Sequence, residues 1–394
     1  MPAAGRSLLE ADPEPLPRPP PVAAREEPDT ARQFAPLLAR IPASPANPAF
    51  DDAIAALYTG QEVDWHRLDA ALTPWRPALA AFAVRVAELE PGELRVASSF
   101  IRRTWRLLDV FQCEAHWQAR HGDRARPPAA LCTLLSLCRL LEHAPAGEAR
   151  LTRFHSGLIT RSMVLTSFQD PRLYLDAPLD ALARTRASLR DFAPDLMSFR
   201  SALVGESGQY VAAMGPALYN RRGRPFELSG GRSLTIPESA GERGLWLESA
   251  REQIHELMLG GLRALSNDHQ KSLRSLRVLC ARHGPPPAVS PRTAPWEALS
   301  ALGRAQAFVA ETLHESALLL SHAHRIWVHA LQLHAVLDGM LTLEEQRQRR
   351  GTWPARLEGA VDPLTGLDLR YAPEGDLYRL EVPPESAAIL ACRP

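Results

Sequence analysis

Short breaks rich in proline, glycine and aspartate recur along this chain and constrain its fold more than any other feature. The chain has 35 prolines against 23 glycines. The prolines concentrate between helical stretches, where a ring that fixes φ and removes an amide donor stops or starts a helix. The breaks before residue 216 are EPGE at 90–93, HGDRARPP at 121–128, HAPAG at 143–147, QDPR at 169–172 and FAPD at 192–195. They predict a series of consecutive helices with no fixed repeat period.

Between the breaks, apolar residues recur at the spacing of one helix face. Two such stripes are Leu131, Leu134, Leu135, Cys138 and Leu141, and then Leu196, Phe199 and Leu203. Stripes of this kind must pack against neighbouring helices, and short connections favour antiparallel neighbours. We therefore predict a mainly α fold, a multi-helix bundle or irregular helical array with a small C-terminal β-hairpin module.

Composition divides the chain into five segments. They are a disordered Pro-rich leader (1–31), a helical array (32–216), a loop or linker rich in Gly, Pro, Ser and Arg (217–244), a long helical hairpin (245–350) and a small β-hairpin module (351–394). The hairpin is predicted from two helical runs, about 245–282 and 296–349, with a further break expected in the second run. The last segment alternates apolar and polar residues around the turn sequences DPLTG and APEGD, which is typical of a short hairpin.

Charge and cysteine content exclude several classes of protein. The 45 basic and 45 acidic residues cancel, so we expect no nucleic-acid partner and no attraction to an anionic membrane. No stretch approaches the roughly 20 apolar residues of a membrane-spanning helix, and no export signal is visible, so a soluble, cytoplasmic protein is expected. The five cysteines contain no C-x-x-C pair. They predict reduced, mostly buried thiols.

The C-terminal segment carries the one resemblance to a known family. A long helix ending in Arg349 and Arg350 is followed by Gly351, Trp353, Pro354, Leu357, the turn Asp362-Pro363-Leu364-Thr365-Gly366, Leu369, Tyr371 and Tyr378. This ending resembles that of type II secretion pseudopilins of the G class. It is similar also to the ending of a group of largely uncharacterised, usually membrane-anchored helical proteins of myxobacteria and planctomycetes. The resemblance implies a helix capped by a β-hairpin and an association with the envelope, but no chemistry. Because the sequence shows no N-terminal hydrophobic helix and no prepilin processing site, assembly into a pilus by the usual route is not expected.

The residues of this module support the same reading on physical grounds. Gly351 is expected to end the helix with positive φ, and the DPLTG turn to reverse the chain between the strands. Tyr371 and Tyr378 are then placed to cover the helix end. Asp362 and Asp376 are expected to cap backbone amides, with a calcium site as the alternative.

Two glutamate–histidine pairs give the most suggestive pattern for chemistry. Glu252 and His255 share a helix face, as do Glu311 and His314, a spacing found in carboxylate-bridged di-iron bundles. The sequence does not identify the two further helices that would each supply a glutamate to such a site. In a hairpin that turns at 284–294, His255 approaches His322 or His324, and a site from Glu252, His255 and His322 is the alternative to ordinary polar packing.

The remaining candidates are incomplete. The histidine run His314, His322, His324, His329 and His334 scatters around its helix, which favours packing or solvated roles. Cys113 and His116 make half of a zinc site, for which a buried thiol and a surface imidazole are the simpler interpretation. Gly205-Glu206-Ser207-Gly208 falls short of a nucleophile elbow. The basic loop from Arg221 to Arg232 is able to hold an anion but is more typical of an exposed linker.

No catalytic, cofactor-binding or metal-binding residue is therefore predicted, and no cofactor. The favoured function is a non-enzymatic helical scaffold or adaptor that acts through protein–protein contacts, with the leader and the C-terminal module as docking elements. Whether the chain is an enzyme is left open, leaning to no. The alternatives are a metal-dependent helical enzyme with its site on the 245–350 hairpin, and an immunity or inhibitor protein that sequesters one partner.

Overall fold

The computed structural model describes residues 48–90, 98–143, 150–206, 225–227, 233–283 and 301–391. The fold is mainly α with a small C-terminal β-hairpin, as predicted. The helices are α1 (Pro48–Thr59), α2 (Trp65–Leu72), α3 (Arg76–Glu88), α4 (Ser98–His121), α5 (Arg126–Glu142), α6 (Arg150–Ser167), α7 (Leu179–Asp191), α8 (residues 196–206), α9 (Ala240–Ala264), α10 (His269–Arg282), α11 (Ala301–Arg350) and α12 (Pro384–Ala391). The strands are β1 (Pro225–Glu227), β2 (Ser233–Thr235), β3 (Arg370–Glu374) and β4 (Leu377–Glu381). The predicted leader, 1–31, lies outside the described residues, as do residues 217–224 and 228–232 of the predicted linker.

Prolines and aspartates stand at the starts of helices, as the breaks in the sequence predict. Pro127 and Pro128 stand in the first turn of α5, where a missing amide donor costs nothing. Asp64 caps α2 by accepting a hydrogen bond from the backbone amide of Arg67 at 3.0 Å. Such caps satisfy amides that have no partner inside the helix.

Two hydrophobic cores lie along the molecule. The first is built from α1 to α7, the C-terminal half of α11 and the β3–β4 hairpin. The second is built from α8, α9, α10, the N-terminal half of α11 and the first turns of α6. Both predicted stripes are confirmed, since Leu131 and Leu135 are fully buried in the first core and Phe199 and Leu203 in the second.

Helix α11 passes through both cores. It has 50 residues, which gives a length of about 75 Å. Its segment Phe308–Arg350 is long and apolar enough to cross a bilayer, but 67% of the most apolar window is buried against the rest of the chain. A core helix satisfies the same criterion.

The helical hairpin differs from the prediction in where it breaks. The second run is one helix from Ala301 to Arg350, and the first run ends at Ala264 and restarts at His269. Asp268 caps the new helix by accepting from the amide of Lys271 at 2.9 Å, and Ser272 Oγ accepts from the amide of Ser266 at 2.8 Å. This side-chain capping stabilises a turn where the apolar spacing alone suggested one helix.

The break reverses the direction of α9 relative to α11. Helix α10 runs antiparallel to α11, because Cys280 Sγ contacts Ala317 O while the His269 ring contacts Trp327. Helix α9 runs parallel to α11: Trp246 stacks on Phe308, and Gly261 lies against Leu320.

The strands form two separate antiparallel pairs. Strands β1 and β2 pair Pro225 with Thr235 inside the segment predicted as a linker, a strand pair that the sequence did not suggest. Strands β3 and β4 pair Arg370 with Glu381, and Gly375 at φ +63° makes their turn possible. The APEGD sequence is thus the hairpin turn. The DPLTG sequence instead closes the isolated bridge between Val361 and Asp368, so the prediction that it joins the strands was wrong.

The module packs on the flank of α11. Gly351 ends the helix at φ +76°, as predicted. The Tyr378 hydroxyl donates to the backbone carbonyl of Met340 at 3.3 Å, and the Tyr371 hydroxyl donates to that of Pro354 at 2.9 Å. Tyr378 therefore covers the last turns of α11 from the side.

Candidate functional site

The histidines of α11 lie in different environments, as their scattered spacing predicts. His314 Nδ1 is 3.0 Å from the backbone carbonyl of His283, and the His329 side chain is exposed. His322 is exposed and meets His155 of α6, whereas His324 and His334 are buried. His322 lies beside a second histidine, His324 lies in an aromatic cluster, and His334 lies beside a buried ion pair.

His155 and His322 form a direct pair between α6 and α11. His155 Nε2 lies 2.9 Å from His322 Nδ1, and the ring centroids are 4.8 Å apart. Burial lowers the pKa of His155 to about 4, with a further contribution from His322. Burial and the neighbouring charge of Arg325 lower the pKa of His322. Both rings are neutral at pH 7, so one facing nitrogen donates and the other accepts, according to the tautomer.

His324 lies in an aromatic cluster beside this pair. Its ring stacks on that of Phe199 with centroids 6.0 Å apart, and its centroid is 5.5 Å from that of the Trp327 ring. The centroid of the Trp327 ring is 5.0 Å from that of His269. The indole N–H of Trp327 donates to the backbone carbonyl of Pro194. Within the described part of the chain, neither ring nitrogen of His324 has a hydrogen-bond partner.

This burial has an energetic consequence. Burial lowers the pKa of His324 to about 3, and the charge of His269 adds to the effect. An imidazole buried without partners costs about 1–3 kcal/mol. The second core therefore retains a polar group that does not stabilise it.

A buried ion pair lies where α5 and α6 approach each other. Arg161 donates to both carboxylate oxygens of Glu142, at 2.5 and 2.8 Å, and the two side chains are 1% and 3% exposed. Arg161 Nη1 donates to the backbone carbonyl of Phe192 at 2.6 Å and to His334 Nε2 at 3.1 Å. A Cβ at Gly157 would lie 2.9 Å from the Glu142 amide, so only glycine permits this close approach.

The ion pair is structural in its geometry. Every nitrogen of the Arg161 guanidinium has an acceptor, and both Glu142 oxygens are used. Burial opposes the charge of Arg161, but the Glu142 carboxylate raises its pKa above the ordinary value. Burial lowers the pKa of His334 well below its ordinary range, so its ring is the neutral acceptor of Arg161. Sequence reasoning missed this cluster, because an isolated Arg and Glu on adjacent helices give no signal.

The structure does not bring Glu252, His255 and His322 together. His255 precedes Gly261, which is level with Leu320, so it lies roughly 12 Å short of His322 along the helix axis. The expected approach of His255 to His322 rested on an unbroken first run. Glu252 is exposed, and across the described ranges no group of three or more His, Cys, Asp or Glu side chains is placed to hold a metal ion.

Cys113 and His116 are both buried. Burial raises the pKa of the Cys113 thiol to about 12 and lowers that of His116 to about 4. The buried thiol is as predicted, but His116 is 5% exposed and its Nδ1 lies 3.8 Å from Asp170, so the expected surface imidazole is wrong. A neutral thiol of this kind is a poor metal ligand and nucleophile.

Two further candidates fall partly outside the described residues. The basic residues at 221, 222, 224 and 232 lie outside them, as do Ser207 and Gly208. Glu206 is 1% exposed and accepts a hydrogen bond from the backbone amide of Leu151 at 2.8 Å. It therefore caps the first turn of α6.

Asp362 caps its own turn, as expected. It is fully buried and accepts from the amide of Thr365 at 2.9 Å and from Gln332 Nε2 of α11 at 2.7 Å. The hydroxyls of Thr365 and Ser386 also donate to it. Burial raises the pKa of this carboxyl, but the donors outweigh it, so that the net pKa is lowered. Asp376 uses its backbone carbonyl to accept from the Trp353 indole at 3.2 Å.

Comparison with protein-family models, with curated proteins and with solved structures found no match. The resemblance of the C-terminal module to pseudopilins stays a prediction.

Proposed function

We propose that this chain is a non-enzymatic helical scaffold or adaptor that acts through protein–protein contacts, with its C-terminal module as a docking element. The observation that carries the proposal is the turn at 361–368. It is held rigidly from inside and presents two apolar side chains to solvent.

The inner side of the turn is tied to two helices. Asp362 accepts from Gln332 of α11 and from the Ser386 hydroxyl of α12, and Leu364 is buried in the second core. The backbone closes around it, because the amide of Asp362 donates to the carbonyl of Leu367 at 2.8 Å. The turn is thus preorganised, which reduces the entropy lost on binding.

The outer side of the turn is apolar. Val361 is 45% exposed and Leu367 is 47% exposed. A partner that covers these two side chains with an apolar surface gains hydrophobic contact without reshaping the turn. The α11 helix, about 75 Å long, links this turn to both cores and supplies the rigid span of a scaffold.

The test compares two sets of lysine substitutions in the full chain. Val361→Lys combined with Leu367→Lys places charge in the proposed contact, where burial without a partner is unfavourable. Val84→Lys is the control, because Val84 is 61% exposed on α3, in a different part of the fold. The partner is recovered by co-purification from the native host and then mixed with purified chain.

The expected result is a complex of fixed stoichiometry with the wild type and with Val84→Lys, weakened at least tenfold by the double substitution at unchanged helical circular dichroism. A wild-type chain that forms no stoichiometric complex would contradict the scaffold proposal. A complex insensitive to the double substitution would remove the module as the docking element.

A further inference from the structure

The His155–His322 pair joins α6 to α11 through two imidazoles. Each ring stands on a backbone that packing holds in place: Phe154 is fully buried beside His155, and Ala323 is fully buried beside His322. His322 itself is exposed. The pair is therefore fixed at its base and open to solvent at one side.

The separation of the rings distinguishes two geometries. A linear hydrogen bond between two imidazoles at this N···N distance would place their centroids roughly 5.2 Å apart. Two imidazoles that bind one metal ion at 90° would have centroids roughly 4.6 Å apart. The observed centroid distance is 4.8 Å, with the ring planes inclined by 58°. The observed distance lies between the two values, so the contact is a bent hydrogen bond whose geometry is close to that of two ligands on one ion.

The N···N distance also selects among metal ions. Two ligands bound at about 2.0–2.1 Å are about 2.9 Å apart at 90° and about 3.4 Å apart in a tetrahedron. The observed distance between His155 Nε2 and His322 Nδ1 is 2.9 Å. It fits the square-planar or octahedral coordination that Cu²⁺ and Ni²⁺ prefer, and it is shorter than tetrahedral Zn²⁺ requires.

The protonation state favours binding. Ligation requires the neutral ring, and burial lowers the pKa of both histidines. At pH 7 the pair therefore carries no imidazolium charge, and the one N–H between the facing nitrogens moves to the other nitrogen of its ring when a metal ion binds.

We propose that His155 and His322 form a surface site for one divalent late transition-metal ion, Cu²⁺ or Ni²⁺, that joins α6 to α11. His155 Nε2 and His322 Nδ1 supply two adjacent ligands, and water fills the positions toward solvent. Cu²⁺ binds more tightly than Ni²⁺ in the usual order of stability of divalent complexes. The site does not depend on the proposed scaffold function and differs from the predicted Glu252, His255 and His322 set.

The experiment titrates chelator-treated full chain with copper sulfate and follows heat, thermal unfolding and electron paramagnetic resonance. Wild-type chain is expected to bind one tight Cu²⁺, with superhyperfine splitting from two imidazole nitrogens. Bound Cu²⁺ should raise the midpoint of thermal unfolding, because it binds the folded arrangement of α6 and α11. His155→Ala and His322→Ala are each expected to weaken binding at least tenfold and to abolish the two-nitrogen signal. His329→Ala removes another exposed imidazole of α11 and should leave the Cu²⁺ affinity and the two-nitrogen signal unchanged.

Two results would overturn the proposal. One is tight Cu²⁺ binding that survives both His155→Ala and His322→Ala, which would locate the ion elsewhere. The other is the absence of a one-to-one tight site in wild-type chain, with only weak uptake that all three alanine variants share. Circular dichroism at each step separates loss of a ligand from loss of the fold.

Discussion

The two halves of α11 bury polar side chains in opposite ways. In the C-terminal half, Gln332 donates to Asp362, His334 accepts from Arg161, and Glu344 accepts from Arg347 at 2.6 Å. In the N-terminal half, the Ser316 hydroxyl and both nitrogens of His324 are buried without a partner in the described ranges. The C-terminal half is paired except at His334 Nδ1, whereas three buried polar atoms of the N-terminal half have no partner in the described ranges.

The difference indicates where the fold bears a cost. Polar groups that are fully paired specify one packing arrangement, whereas unpaired groups destabilise it. Sites where a protein violates polar satisfaction are expected to be functional or strained. The unsatisfied half of α11 is also the half that carries the His155–His322 pair, which makes this end of the molecule the first place to look for ligands.

The largest effect is expected in the satisfied half. Arg161→Met should lower the free energy of unfolding by about 3–5 kcal/mol, because it leaves the Glu142 carboxylate buried without its partner. Arg184→Met is the matched control, since Arg184 is 69% exposed in its pair with Asp180. Urea denaturation of the two variants measures the difference, and equal losses would mean that the buried pair has no special role.

Acid should destabilise the fold through buried neutral histidines, one on α11 and one on α4. The pKa of His324 is about 3 and that of His116 about 4 in the folded chain, against about 6.5 when unfolded. Below pH 6.5 the unfolded chain therefore binds protons that the folded chain does not. Each of these histidines should lower the free energy of unfolding by up to about 1.4 kcal/mol per pH unit as the pH falls from 6.5 toward 4.

Urea denaturation at a series of pH values measures this slope. His324→Leu should reduce it by the contribution of one histidine. A stability that is constant between pH 6.5 and 4.5 would contradict the burial of these rings as neutral groups.

The same substitution at two histidines of α11 should have opposite effects at pH 7. His324→Leu removes a buried group without partners and should raise the free energy of unfolding by about 1–3 kcal/mol. His334→Leu removes the acceptor of a buried Arg161 N–H and should lower it, by less than about 3 kcal/mol because the Nδ1 that it also removes has no partner. Thermal and urea unfolding of the two variants compare them directly. Changes of the same sign in the free energy of unfolding would show that the two halves of α11 do not differ as described.

The spacing of apolar residues predicts which helix faces are buried, but it does not predict which helices contact each other. The stripe that includes Leu131 and Leu135 follows from the helical period, and both are fully buried. The break before His269 was missed, although Ser266, Asn267 and Asp268 carry cap and turn chemistry. The apolar spacing on both sides of these three residues outweighed that signal.

The pairs that define the candidate site depend on tertiary packing. His155 and His322 are 167 residues apart, and Arg161 and His334 are 173 residues apart. A single sequence fixes which face of a helix is apolar, but it does not fix which helix packs on that face. The direction of α9, reversed by one capped turn, shows how a local signal decides a distant contact.

The smallest effect is expected at the outer edge of the satisfied half. Asp338 accepts from Arg186 at 2.9 Å, but its side chain is 36% exposed, and Glu345 offers Arg186 a second carboxylate at 3.0 Å. Asp338→Asn should therefore lower the free energy of unfolding by less than about 1 kcal/mol, and added salt should reduce the difference further. Urea denaturation at low and high salt measures it against Arg161→Met. A loss as large as that of Arg161→Met would show that the satisfied half depends on its polar network as a unit, rather than on the buried pair at its centre.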